Sequence, residues 1–207
     1  MNSNDFFLEL QSLKIFKNSQ IIWFGLFGSQ ILGTSNDKSD YDINIILSNI
    51  ESFENQLYYT ENNKEYNFNI FSKEEFLEKL NNYDIAILES YFSPISVFFF
   101  DINFQINLQK LRVWISSTSD NSWVKCKKKL ILNWEDKYIW YKSLFHSFRI
   151  IDLWIQLAKY WKIVNFQTYK DLYFEIISQK LSWEELNEKY KLRWNTLRSE
   201  FKQLAPK

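Results

Sequence analysis

Residues 24 to 47, FGLFGSQILGTSNDKSDYDINIIL, constrain this chain more than any other stretch. Ile21 to Phe27 is an apolar, β-prone run that leads straight into Gly28-Ser29, where the chain must turn tightly. Asn36, Asp37, Lys38 and Ser39 follow as a polar loop, after which Tyr41, Ile43, Ile45 and Leu47 alternate with Asp40, Asp42 and Asn44. The pattern predicts strand, turn, loop and strand, the second strand half-buried with one polar face. Because a strand has period two, Asp40 and Asp42 are expected to project from that polar face side by side.

Two neighbouring carboxylates repel each other unless a cation neutralises them, and hard oxygen donors suit Mg²⁺ or Mn²⁺ bridging nucleotide phosphates. Two metals held there would activate an attacking hydroxyl and stabilise a leaving pyrophosphate. Gly28 lets backbone approach a phosphate closely, and a helix starting at Ser29 or Gln30 would aim its N–H groups at a triphosphate. Gly33 supplies the second turn that brings the strand with Asp40 alongside.

With its Gly-Ser turn, its spacer of residues 30 to 39 and its acidic-apolar-acidic strand, the segment resembles the signature of the DNA polymerase beta-like nucleotidyltransferase superfamily. Small bacterial members show the same Phe-Gly-Ser lead-in, with counterparts of Gly33 and Ser39. The resemblance implies transfer of a nucleoside monophosphate from a nucleoside triphosphate to an acceptor, with the metal at Asp40 and Asp42. More loosely, SKEEFLEKLNNYDIAILESYFSP, KKKL and KSLFHSFRI are similar to the body of a family of predicted nucleotidyltransferases from phages, bacteria and some microbial eukaryotes. That likeness leaves the acceptor undefined.

Active members of the superfamily carry a third carboxylate on a neighbouring strand. The corresponding strand here, Tyr66 to Phe71, presents Asn67 and Asn69 on its polar face. An amide takes no proton at neutral pH and is a poorer metal ligand than a carboxylate. Glu65 is the nearest substitute and joins that face if the strand begins early enough; otherwise it is a solvated turn residue. Asp84 and Glu89 are more distant options. The gap leaves a second reading open, a nucleotide-binding or interaction module that keeps two carboxylates without efficient turnover.

Elsewhere, Phe6, Leu10, Leu13 and Lys14 predict an amphipathic helix over the first 17 residues. Glu61 to Lys64 reads as a turn, Ser72 with Glu75 as a capping box for a helix through Leu80, and Val97 to Asp101 with Phe104 to Ile106 as a hairpin. Beyond Leu111 the strand signals fade, and eight of the nine tryptophans fall there. Ser182 and Glu185 form a second capping box, and Leu186, Tyr190, Trp194, Leu197, Phe201 and Leu204 follow at helical steps until Pro206. The expected architecture is an N-terminal α/β nucleotidyltransferase domain with a mixed sheet (1–110), then a C-terminal α-helical domain (111–207) that packs across it, the site lying between them.

With 25 basic and 25 acidic residues, no global field recruits nucleic acid or an anionic membrane. One cysteine excludes an internal disulfide framework, and Met1 to Leu10 lacks a charged-then-apolar leader, so an intracellular, cytoplasmic protein is expected. Apolar runs such as Ser96 to Phe100 are too short to span a bilayer. One cysteine and one histidine supply no zinc site.

Lys142, His146 and Arg149 share a helical stripe that either contacts the nucleotide or, with Leu153 on the same stripe, is packed. Lys125 and Lys127 to Lys129 form the one dense basic run, either a solvated face or a contact to an RNA or DNA acceptor. Trp123 and Trp134 nearby either stack bases or build core, and the Trp-rich second half offers a surface for a protein partner. The expected acceptor is RNA, a protein hydroxyl or a small molecule.

Overall fold

A computed structural model describes residues 2–49, 53–132 and 137–205, with only the backbone at Ile115 and Ser116. Trp134 and Pro206 lie outside the described residues. The chain divides into two compact units, Met1–Phe104 and Gln105–Lys207. The first is α/β and the second helical. Among the described residues, no helix is long and apolar enough to cross a membrane.

The first unit runs α1 (Ser3–Ser12), a 3-10 turn (Lys14–Phe16), β1 (Ile21–Phe27), α2 (Ser29–Leu32), β2 (Tyr41–Leu47), β3 (Gln56–Glu61), β4 (Lys64–Phe71), α3 (Lys73–Asn81), α4 (Ile85–Tyr91) and β5 (Ser96–Phe98). The five strands lie in the order β3-β4-β2-β1-β5. β2 and β4 are parallel and the other neighbours antiparallel, so the sheet is mixed as expected.

Strand alternation sorts the sheet into two unlike faces. On one face Tyr41, Tyr66 and Phe68 meet α1 and the 3-10 turn, with Phe6 5.7 Å from Tyr41 and Phe16 5.0 Å from Phe68 between ring centroids. On the other, Trp23 packs on Phe76 of α3 at 4.2 Å. Gly25 lies against α4, where a Cβ would run into the Ser90 carbonyl group. Asn44, fully buried, donates to the Ala86 carbonyl at 3.0 Å and to Ser90 Oγ at 2.8 Å, and so ties β2 to the same helix. This second face carries the polar stripe of Asp42, Asn44, Asn67 and Asn69.

Several expectations need correction. The first helix stops at Ser12, and the 3-10 turn takes Phe16 into the core instead of continuing one amphipathic face to residue 17. No hairpin joins Val97–Asp101 to Phe104–Ile106. β5 pairs with β1, a partner some 70 residues away in sequence, and Phe104 is drawn instead into a ring cluster with Tyr83 and Tyr91. β3 and α4 carry no expectation from the sequence. β3 is an edge strand of alternating exposure, joined to β4 through Asn62 and Asn63, both at positive φ (53° and 62°), the backbone that a two-residue hairpin turn requires.

The second unit comprises α5 (Leu108–Ile131), α6 (Lys137–Tyr160), α7 (Lys170–Gln179) and α8 (Trp183–Leu204). Both capping boxes form as the sequence indicates, at Ser72 with Glu75 and at Ser182 with Glu185. Leu186, Tyr190, Trp194 and Phe201 of α8 are buried at the predicted helical spacing. Trp123 is buried as well, stacked on Trp194 at 4.4 Å and met edge-on by Trp183 at 5.4 Å. Its burial among these rings takes it away from base stacking.

Candidate active site

The candidate site forms where β1 ends and β2 and β4 begin. Gly28 ends the first strand with φ 73° and ψ −150°, a conformation essentially restricted to glycine, and acts as N-cap of the single-turn helix α2. The helix therefore starts at Ser29, as the sequence suggested, and Gly33 closes it in the left-handed conformation at φ 68°. The loop that follows folds on itself. Ser39 Oγ accepts from the Asn36 N–H at 2.9 Å, and Asn36 Oδ1 accepts from the Lys38 N–H at 2.9 Å. Gln30 of α2 reaches back, donating from Nε2 to the carbonyl oxygens of Ser39 and Asp40 at 3.3 Å each. The entry into β2 is thereby anchored to the Gly-Ser turn, a role for Gln30 that no sequence pattern announces.

Asp40 immediately precedes β2, and Asp42 is the second residue of that strand. Asp42 is half-buried, opposite Phe27 of β1 on one side and Asn67 of β4 on the other. Its Oδ1 accepts from Asn67 Nδ2 at 2.9 Å. Its Oδ2 faces Gly28, where an added Cβ would lie 2.5 Å away. The glycine thus serves two ends: it permits the backbone turn, and it leaves a cradle that the carboxylate occupies.

β4 begins at Lys64, earlier than the Tyr66 start that the sequence suggested. Glu65 consequently falls within the strand and, by alternation, on the face of Asn67 and Asn69. It is exposed. The other acidic options stand elsewhere. Asp84 caps α4, accepting from the Ala86 and Ile87 N–H groups, and Glu89 is buried within α4. Among the described residues, no three acidic, histidine or cysteine side chains converge as a metal cage. Two carboxylates alone, as Asp40 and Asp42 supply, would suit a hard divalent cation only with water or phosphate oxygens in its remaining positions. Gly28, having no side chain, leaves room at the turn for the Asp42 carboxylate.

A groove of about 540 Å³ is bounded by Gln30, Asn36, Lys38, Ser39, Tyr41 and Glu65 among others, and neither Gly28 nor Asp40 nor Asp42 lines it. Its volume is in the range of small-molecule sites. Lys64 also borders it, but its ammonium is held by Glu9 at 2.7 Å.

No protein-family model matches the chain, and no curated protein does. Among solved structures, a nucleotidyltransferase-like protein from Exiguobacterium sibiricum 255-15 is similar at 9% identity and a TM-score of 0.31, over 98% of this chain and 73% of that one. A likeness this slight carries no argument. The residues themselves must.

Lys142, His146 and Arg149 lie together on α6 in the helical unit. Arg149 is 8% exposed, and its Nε donates to His146 Nδ1 at 3.2 Å. Burial, reinforced by the charges of Lys142 and Lys125, pushes the imidazole pKa down to about 4 from 6.5. The hydrogen bond requires the same neutral ring. Burial also lowers Arg149 to about 10, so it stays charged at neutral pH. Lys142 sits over the Tyr138 ring, while Lys125 and Lys129 of the basic run sit near the Trp140 ring.

A titration follows from this. Since the folded pKa of His146 lies below its unfolded value, neutral His146 contributes stability that is complete above pH 6.5 and is lost as pH falls through about 4. An NMR titration of the single histidine should show a midpoint near 4, with unfolding free energy declining across that window. A midpoint near 6.5 would mean that the ring is solvated.

Proposed function

We propose that this chain is a metal-dependent nucleotidyltransferase that transfers a nucleoside monophosphate from a nucleoside triphosphate to an acceptor. One observation carries the reading: the Asp42 carboxylate is held between a glycine turn that a side chain would obstruct and an amide on the parallel neighbouring strand. A purely structural aspartate at a strand start needs neither.

In this reading Asp40 and Asp42 hold Mg²⁺ or Mn²⁺, which when bound neutralises phosphate charge and lowers the pKa of a bound hydroxyl. The backbone N–H groups of Ser29 and Gln30, which as first residues of a helix have no intrahelical acceptor, receive phosphate oxygens. Gly28 admits those oxygens to the backbone. The acceptor oxygen bonds to the α-phosphorus, the bond from that phosphorus to the bridging oxygen breaks, and pyrophosphate departs. Glu65, exposed on the same face of β4, takes the acceptor proton. The groove of about 540 Å³ next to Glu65 receives the acceptor.

A second reading is favoured by one specific observation. Asn67 occupies the place beside Asp42 where a third carboxylate would serve turnover, and an amide removes no proton. The chain would then bind nucleotide without efficient transfer. Incubation with each of four α-labelled nucleoside triphosphates and a cell extract separates the two. For the enzyme, one fraction becomes labelled, and Asp40→Ala or Asp42→Ala lowers labelling about 100- to 1,000-fold, the scale of removing a principal electrostatic element of a site. Nucleotide binding that depends on Asp42 without any labelling establishes the second reading. Absence of both excludes a nucleotide site here.

A further inference from the structure

The two amides of β4, Asn67 and Asn69, are each hydrogen-bonded to a side chain of β2. Asn67 is bound at both ends: Nδ2 donates to Asp42 Oδ1 at 2.9 Å, and Oδ1 accepts from Gln56 Nε2 of β3 at 3.2 Å. One register step along, the arrangement recurs. Asn69 Nδ2 donates to Asn44 Oδ1 at 2.9 Å, and Asn44 in turn donates into α4. The ladder fixes which way each amide points. Turning the Asn67 amide over would set its oxygen against the carboxylate and its NH₂ against the NH₂ of Gln56. The one atom of Asn67 able to ligate a cation therefore faces β3, away from Asp42.

We propose, building on the nucleotidyltransferase reading above, that Asn67 makes this a single-cation site: it orients Asp42 through Oδ1 while withholding the ligand that a second divalent ion needs. Two divalent ions at the usual two-metal spacing of roughly 3.5–4 Å repel each other about four times as strongly as two unit charges at that distance. A carboxylate that bridges two ions through separate oxygens also has to present both of them. Here Oδ1 is engaged by Asn67 and Oδ2 lies against Gly28, so Asp42 has one fixed presentation. Among the described residues, no third acid, histidine or cysteine joins to make the difference good. Asn67 is thus a positioning residue that acts through Asp42, and it sets how many ions bind.

The test counts ions. The full chain, saturated with a non-hydrolysable nucleoside triphosphate analogue, is titrated with Mn²⁺, and bound ions are determined from the loss of the free-ion EPR signal after correction for protein-free analogue. The wild type should bind one Mn²⁺ and Asn67→Asp two. Asn69→Asp, which places a carboxylate on the same strand but next to Asn44, should still bind one. Two ions on the wild type, or one on folded Asn67→Asp, overturns the inference and leaves the nucleotidyltransferase reading intact. Should Asn67→Asp not fold, the wild-type count decides between one and two. No Mn²⁺ bound by any of these proteins overturns the inference together with the reading on which it rests, whereas one ion on the wild type that is lost in Asp42→Ala, with two on Asn67→Asp, upholds the inference and leaves transfer itself to the labelling experiment.

Discussion

Gly28→Ala is expected to weaken Mn²⁺-dependent nucleotide binding by about 100-fold, corresponding to about 2.7 kcal/mol. Two separate effects add at this position. A backbone at φ 73° and ψ −150° lies in a region that alanine enters only at a cost of about 1–3 kcal/mol. Relaxing it moves the Gly-Ser turn and the first N–H groups of α2. In addition, the new Cβ would lie 2.5 Å from Asp42 Oδ2, and either that carboxylate or the turn must give way. If the carboxylate swings, the hydrogen bond from Asn67 breaks with it. Isothermal titration with a nucleotide analogue and Mn²⁺ measures the loss. Gly33→Ala is the control, because φ 68° there also disfavours alanine, yet that residue ends α2 away from Asp42. Equal losses in the two variants would show that strain in the turn, rather than the cradle for Asp42, governs binding.

The largest effect on stability is expected from Gly25→Ala, a loss of about 3 kcal/mol or more. A Cβ there would collide with the backbone carbonyl of Ser90, which cannot rotate aside as a flexible side chain can. Overpacking of this kind costs about 1–3 kcal/mol. Moving α4 off β1 adds a second loss, because Asn44 then leaves its acceptors at Ala86 and Ser90, and a fully buried amide without partners costs about 1–3 kcal/mol more. Urea unfolding at neutral pH checks the value. A change below about 1 kcal/mol would show that α4 slides on the sheet without consequence, and Asn44 would then have to be rebound by water. The same variant tests the site indirectly, since Asn44 is the next polar residue along β2 from Asp42 and accepts from Asn69.

These two glycines differ in how much of their role is legible in the sequence. Gly28 sits between an apolar run and a polar loop, beside a serine, in a pattern whose meaning is local. A strand must stop, a turn must form, and a helix must begin within a few residues, so the punctuation is readable from neighbours. Gly25 stands inside an unbroken apolar strand, and nothing nearby distinguishes it from an alanine. Its reason is Ser90, 65 residues later, on a helix that the sequence pattern did not disclose.

The same distinction holds for the rest of the site. The turn at Gly28 and the strand bearing Asp42 were legible because period two and the interval from the Gly-Ser turn are properties of one short segment. The position of Glu65 was not, because its side of the sheet depends on where β4 starts. That start is set by the Asn62-Asn63 turn and by pairing with β3, an edge strand overlooked in the sequence. The predicted hairpin at residues 97–106 failed for a related reason. β-prone residues signal that they will pair, and they do not say with which strand; β1 was the partner available.

By itself, then, the sequence determined the strand-turn-strand that carries the carboxylates, the mixed α/β first half, the helical second half and both capping boxes. All of these follow from hydrophobic period, turn residues and caps, which act over a few positions. Only the tertiary structure decided that Asn67 lies beside Asp42 with its NH₂ toward the carboxylate, that Glu65 shares their face, and that Gln30 anchors the entry to β2. Those facts depend on the parallel register of β2 with β4 and on the path of the loop between α2 and β2. Register is a relation between segments distant in sequence, settled by how both pack on the same core, and no local pattern encodes it.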